Sequence, residues 1–198
     1  MIVIFGGTFN PIHLGHKEII DKVSSLVDVD KVLIVPTKIP PHKTAHSLAS
    51  EVDRVEMCKL IASQYNNVEV CCVELERTGK SYTIDTLHEI KRRYPEFDIA
   101  ITIGADMVVT FDEWKDYLQI VKLCRIITFK RGDTDISSYR EGINKLQQYG
   151  ADIIEISDEI TNISSTEIRN AILNNEDTSE FLDGSVANYI TEHCVYGE

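Results

Sequence analysis

At 198 residues, 43% apolar and 26% charged, the chain has the size and composition of one ordinary globular domain with a substantial core. Twenty basic residues against 32 acidic ones give a formal net charge of −12, which argues against a nonspecific nucleic-acid or anionic-membrane surface. An anionic substrate would therefore need a local basic cluster. Cys58, Cys71, Cys72, Cys124 and Cys194 are odd in number and form no C-x-x-C pair, so neither a disulfide framework nor a zinc knuckle is indicated. The apolar start has no basic leader, and no apolar run reaches membrane-spanning length, so a soluble cytoplasmic protein is expected.

In chain order, Ile2 to Phe5 reads as a first strand, and Leu14, Ile19, Ile20, Val23 and Leu26 recur at helical spacing, predicting a helix from Leu14 to Val27. Between them, Gly6-Gly7-Thr8-Phe9-Asn10-Pro11-Ile12-His13-Leu14-Gly15-His16 runs from a strand's carboxyl end into a helix start, where open α/β sheets bind ligands. Glycine lets the backbone approach a polyphosphate, and the helix start offers unpaired N–H groups and the positive end of a dipole. His16 falls in the first turn, where the dipole disfavours its imidazolium until a triphosphate binds. His13, one turn earlier, can face the same ligand. The spacing of Gly6, Gly7 and Gly15 fits neither a dinucleotide fingerprint nor a P-loop. A zinc pair from His13 and His16 lacks a cysteine or carboxylate to complete it. The structural alternative is a glycine-rich turn with packed histidines.

Lys31 to Val35 predicts the second strand. Pro36 to Ala49, with Pro36, Pro40, Pro41, His42, Lys43 and His46, predicts an irregular basic loop over the same sheet edge. A helix over Ser50 to Gln64, a strand over Val68 to Val73 and a helix over Thr83 to Tyr94 follow, with Ser81 or Thr83 as the N-cap of the last. The Thr83 hydroxyl is also available to a carboxylate-bearing ligand. The strand Ile99 to Ile103 runs into Gly104-Ala105-Asp106, where backbone can touch a nucleotide and the acid can hold a ribose hydroxyl or cap a helix.

The helical pattern from Asp106 to Leu123 contains a break. There Trp114, the one tryptophan, stands among Asp112, Glu113, Lys115 and Asp116, an odd address for a core residue. Its ring can stack on an aromatic base or pack on the surface. Ile126 to Phe129 predicts a strand ending at Lys130-Arg131-Gly132, Ile136 to Tyr149 a helix and Asp152 to Ile156 a last strand, with helices only from Ser164 onward. Ile163-Ser164-Ser165-Thr166-Glu167-Ile168-Arg169 contains the capping box S-x-x-E. Its hydroxyls, helix amides and Arg169 also suit a phosphate. The basic candidates for phosphate contact are Lys43, Arg54, Lys130, Arg131 and Arg169.

Alternation of strand and helix predicts an α/β fold: a Rossmann-like doubly wound parallel sheet with right-handed crossovers, helices on both faces and a C-terminal helical extension, in a single domain spanning residues 1–198.

Together, the Gly6 to His16 and Ile163 to Arg169 segments resemble the paired phosphate motifs of the nucleotidyltransferase superfamily, which includes adenylyltransferases and, more remotely, class I aminoacyl-tRNA synthetases. Within it the sequence is most similar to bacterial nicotinate-nucleotide adenylyltransferases. Gly6 to His16, Pro40-Pro41-His42-Lys43, Ser81 to Thr86, Ile103 to Asp106, Trp114 and Ile163 to Arg169 match that family's motifs in order. Asn10 stands where the family more often has Asp, and Lys130-Arg131-Gly132 where it has R-P-G.

The resemblance implies transfer of AMP from ATP to nicotinate mononucleotide, giving deamido-NAD and pyrophosphate. Gly6, Gly7, Thr8, Phe9, His13, His16, Gly104, Asp106, Ile163, Ser164, Ser165, Thr166 and Arg169 would form the ATP site, with His13, His16 and Arg169 as catalytic donors. Lys43, Thr83, Trp114, Lys115 and Lys130 or Arg131 would hold the mononucleotide. Mg²⁺ would be held by ATP phosphates and water, with no protein side chain as ligand. The partners implied are these small molecules, without nucleic acid or membrane, and self-association is left open. Phosphopantetheine and nicotinamide mononucleotide are the rival acceptors. A silent nucleotide-binding module is disfavoured by the presence of His13, His16 and Arg169.

Overall fold

A computed structural model of the chain describes residues 1–26, 28–38, 48–132 and 134–197, with Glu159 described in its backbone alone. Six strands, β1 (Ile2–Gly7), β2 (Lys31–Pro36), β3 (Val68–Val70), β4 (Ile99–Gly104), β5 (Arg125–Arg131) and β6 (Ile153–Ile160), form one sheet in the order β3-β2-β1-β4-β5-β6. Every neighbouring pair is parallel. Successive side chains on a strand point to opposite faces, and here they divide two cores. Val3, Phe5, Val32 and Ile34 face one, with α1 (Leu14–Ser24), α2 (Glu51–Ala62), α7 (Ser165–Leu173) and α8 (Gly184–Glu192). Ile2, Ile4, Leu33 and Val35 face the other, with α3 (Thr83–Arg93), α4 (Ala105–Val109), α5 (Tyr117–Leu123) and α6 (Ile136–Gln148). The predicted doubly wound sheet with a helical C-terminal part is the observed one.

The order reverses direction between β1 and β4, which lie side by side. At such a switch point the connections leave the carboxyl ends in opposite directions and open a crevice. β1 delivers the glycine loop to that crevice and β4 delivers Gly104.

Local differences from the predicted elements have identifiable causes. β3 stops at Val70, because the chain turns at Cys72, whose carbonyl accepts from the Leu75 and Glu76 amides. Val73 is buried all the same (2% exposed), so its apolar character reports packing rather than pairing. The predicted break in the Asp106 to Leu123 pattern separates α4, a 3-10 turn at Phe111–Glu113 and α5, with Asp116 at φ +55° opening the last. The caps also move: α3 is preceded by Tyr82, whose side chain makes no capping bond, and Gly104 rather than Asp106 caps α4.

Leu87 on α3 is 1% exposed inside the second core. Leu87→Ala is expected to lower the unfolding free energy by about 2–5 kcal/mol, read from denaturant midpoints. Removing the exposed neighbour His88 should shift it by no more than about 0.5 kcal/mol.

Candidate active site

Above the carboxyl ends of β1 and β4 lies a cavity of about 410 Å³, and a second of about 400 Å³ adjoins it, Asp106 and Arg131 lining both. The first brings together Gly6, Gly7, Thr8 and His16 from the β1–α1 segment, Thr83 from α3, Gly104 and Asp106 from the end of β4, Trp114 and Arg131. These residues span more than a hundred positions of sequence, and nine of the predicted site residues meet there. The second is lined from α6 by Ser138 and Tyr139, and also by Asn162.

Four of the loop's carbonyls are held by donors of the protein. The Gly7 carbonyl accepts from the Thr37 amide at 2.8 Å, that of Thr8 from Arg54 Nη1 at 2.7 Å, that of Asn10 from Arg169 Nη1 at 2.8 Å, and that of Pro11 from the Ser165 hydroxyl at 3.2 Å. Among the described residues, the amides of Thr8 and Phe9 donate to nothing. Phe9 holds the turn at φ +49°. That left-handed conformation costs about 1–2 kcal/mol for a non-glycine residue. Its ring, 2% exposed, lies edge-on to Phe5 and His16 at centroid distances of 5.3 and 5.1 Å, and this burial offsets the strain.

The two histidines have different positions. His13 is 4% exposed and stacks beneath His16 at a centroid distance of 3.7 Å, so it does not line either cavity. Gly15 is closely covered: an added Cβ would sit 3.1 Å from the Thr161 carbonyl oxygen and 3.3 Å from the His13 ring, so both would have to give way by a few tenths of an ångström. The His13 amide donates to Nδ1 of His16 at 3.3 Å. A neutral His16 ring then carries its proton on Nε2, free for an acceptor in the cavity. Burial, with Arg131 nearby, lowers the His13 pKa to about 4. Burial, then the neighbouring His13 and Arg131, holds that of His16 well below its ordinary value. Both rings are neutral near pH 7.

Several predicted ligand groups are engaged in building the site. The helix-start amides of α1 are largely spoken for, Leu14 by the Phe181 carbonyl, and His16 and Lys17 by the His13 carbonyl, which leaves the Thr8 and Phe9 amides and the His16 ring as the donors of this segment without a partner among the described residues. Ile163 is core, 9% exposed. The Ser164 hydroxyl caps α7 by accepting from the Glu167 amide at 3.5 Å. Thr166 accepts from Arg169 Nη2 at 3.1 Å. Arg169 also bonds the Ser165 carbonyl at 3.0 Å and keeps a buried, unpartnered Nε.

On the acceptor side, Thr83 is the first residue of α3 and makes no hydrogen bond with its hydroxyl among the described residues. The Trp114 ring stacks on Phe111 at 5.0 Å and 26° and also lines the cavity. Lys115 instead sits over the Tyr82 ring at 4.5 Å and within 3.9 Å of Asp85. Of the pair after Phe129, Arg131 lines both cavities and Lys130 neither. An added Cβ at Gly104 would lie 2.6 Å from Oδ1 of Asp106, so glycine there lets the carboxylate fold over the strand end. Lys43 lies outside the described residues.

Glu74 joins the site without a mark in the sequence. This carboxyl lines the cavity at 8% exposure, accepts from the Thr86 hydroxyl at 2.8 Å, and is pushed above its ordinary pKa by burial. Nothing in the local pattern flags it, since it follows a short strand in an acidic stretch.

Among known proteins, residues 4–171 match the cytidylyltransferase-like family. A protein of Fusobacterium nucleatum named "Probable nicotinate-nucleotide adenylyltransferase" is 37% identical over 199 residues, covering 98% of each chain. One of the same name from Listeria monocytogenes serotype 4a is 38% identical, covering 98% of this chain and 96% of its own. Among solved structures, the Plasmodium falciparum nicotinic acid mononucleotide adenylyltransferase complexed with APC superposes with a TM-score of 0.78 at 22% identity, over 98% of this chain and 96% of that one. The same protein complexed with NaAD gives 0.77 at 21% identity, with the same coverage. The chain belongs to the cytidylyltransferase-like family and, within it, to the nicotinate-nucleotide adenylyltransferases.

Proposed function

We propose that this chain, as one nucleotidyltransferase domain, transfers AMP from ATP to nicotinate mononucleotide, releasing pyrophosphate and forming deamido-NAD. The observation that carries the reading is the single cavity in which the Gly7–Thr8 backbone and His16 face Thr83 and Trp114. A polyphosphate site and a stacking site with a free hydroxyl thus share one space. The full-length relatives are named for this activity, and the Plasmodium protein is named for this acceptor.

In this reading the 5′-phosphate oxygen of the mononucleotide attacks the α-phosphorus of ATP in line as the bond to pyrophosphate breaks. The attacking oxygen is already ionised, so neither a general base nor a covalent enzyme intermediate is needed. The Thr8 and Phe9 amides and the Nε2–H of His16 donate to phosphate oxygens. Trp114 stacks on the pyridine ring, Thr83 bonds its carboxylate, and Asp106 accepts from a ribose hydroxyl.

Orientation of two bound reactants can supply about 7–11 kcal/mol, against about 3–4 kcal/mol for one placed donor. Most of the barrier reduction is therefore assigned to positioning. Among the described residues no three His, Cys, Asp or Glu side chains gather as a metal site, and the cavity's loop donors suit anionic oxygens. A divalent cation such as Mg²⁺, held by the triphosphate and water, would neutralise its charge. Thr83 and Trp114 favour a pyridine acceptor over phosphopantetheine. Incubation with Mg-ATP and each acceptor in turn, with products identified by mass, tests the assignment. Product from phosphopantetheine alone would overturn it.

His16→Ala is expected to lower kcat about a hundredfold with the fold retained, measured by steady-state turnover and far-UV circular dichroism. Near-normal turnover would remove His16 from the mechanism. Because Trp114 is the only tryptophan, its emission reports the acceptor site alone. Nicotinate mononucleotide should quench it saturably and phosphopantetheine should leave it unchanged.

The histidines also predict a pH dependence of stability. A ring with pKa about 4 when folded and about 6.5 when unfolded binds fewer protons in the native state, so stability is lost as pH falls through that window. The contribution of His13 should reduce the unfolding free energy by about 3 kcal/mol between pH 7 and pH 4. Denaturant titrations of wild type and His13→Asn should diverge by that amount, and parallel curves would refute the buried neutral ring.

A further inference from the structure

Arg54 on α2 is 0% exposed, a charged group among the largest fully buried side chains of the protein. Its Nη1 donates to the Thr8 carbonyl at 2.7 Å, while Nε and Nη2 are buried without a partner. Among the described residues it forms no ion pair. Glu51, one turn earlier on α2, favours the charged form only from a distance, and burying a guanidinium without an ion-pair partner is unfavourable, so that an apolar side chain of like volume would commonly stabilise the fold as well or better. A single carbonyl bond does not require a cation. What Arg54 adds is a fixed positive charge one peptide away from the cavity.

Peptide geometry gives that bond a direction. In a trans peptide the C=O of one residue and the N–H of the next point opposite ways. Drawing the Thr8 carbonyl inward onto Arg54 therefore turns the Phe9 N–H outward, and that N–H has no partner among the described residues. Thr8 itself lines the cavity.

We propose that Arg54 is a positioning residue for ATP: it orients the Thr8–Phe9 peptide with its N–H toward the triphosphate, and its unpaired charge favours the polyanion from behind the loop. The negative charge that no ion pair within the protein gives Arg54 is then supplied by the substrate. The proposal rests on the adenylyl-transfer reading only in taking ATP as the anion.

Arg54→Met and Arg54→Lys test it, with affinity for a non-hydrolysable ATP analogue measured by calorimetry, KM for each substrate by turnover, and stability by denaturant titration. Arg54→Met is expected to weaken analogue binding and raise KM for ATP by about tenfold or more, to leave KM for the mononucleotide within about twofold, and to be no less stable than wild type. Arg54→Lys keeps the charge and should recover most of the ATP affinity, which also decides the matter if Arg54→Met does not fold. A merely structural role predicts the reverse, reduced stability with unchanged ATP affinity in both variants, and that result overturns the proposal. Failure of wild type to bind the analogue would instead defeat the functional reading itself.

Discussion

Everything at this site depends on turning the carbonyls of residues 7, 8, 10 and 11 inward. A loop carries as many C=O as N–H groups, and a loop free to rotate would present both to a polyanion. Here four carbonyls are held by donors from three different parts of the chain: the Thr37 amide beyond β2, Arg54 on α2, and Ser165 and Arg169 on α7. A chain with net charge −12 can thereby present a locally electropositive surface made of amide dipoles, with Arg54 and Arg169 behind the loop and Arg131 at the edge of both cavities.

The histidines follow the same logic. Arg131 brings a permanent charge to the cavity, which attracts any anion. Two stacked neutral imidazoles, one buried beneath the other, offer a directional donor whose orientation is fixed by the His13 amide on Nδ1. His13 supports the ring that lines the cavity and supplies the backbone that sets its tautomer. Arg131, at the edge of both cavities, helps keep both rings neutral. Donor geometry and protonation state are therefore properties of the same small cluster.

The parts legible in the sequence were those with local periodicity. The change from an apolar run at Ile2 to Phe5 to helical spacing from Leu14 fixed the loop between them, and alternating elements implied a parallel sheet with a switch point. The break around Trp114 was visible because charged neighbours are incompatible with a buried helix. What local pattern could not express was burial of a polar group by distant chain. Arg54 resembles any basic residue on an acidic helix, yet its partner is Thr8, 46 residues away. Asn10 receives the Tyr196 hydroxyl from 186 residues away at 2.9 Å. Arg169 was legible as a cation beside hydroxyls at a helix start. That it would bond the loop's backbone was not, because a carbonyl leaves no mark in sequence.

The contact between Tyr196 and Asn10 gives the C-terminal helices a place in the same system. The Asn10 carboxamide oxygen accepts from Tyr196 and from the Ala49 amide at 2.9 Å, while its own carbonyl is held by Arg169. One side chain in the β1–α1 loop thus joins the entry to α2, the helix that carries Arg54, to the C-terminal segment. α8 packs against α2 in the same core, and Tyr189 bonds Asp53, the residue before Arg54, at 3.0 Å. The loop, α2, α7 and the C-terminal segment form a closed circuit of hydrogen bonds around a peptide that must keep one orientation. Such a circuit resists rotation of any single carbonyl, because turning one group outward breaks bonds in several elements at once. The rigidity that phosphoryl-transfer chemistry demands of its donors is met here by distributing the anchors over nearly the whole length of the chain.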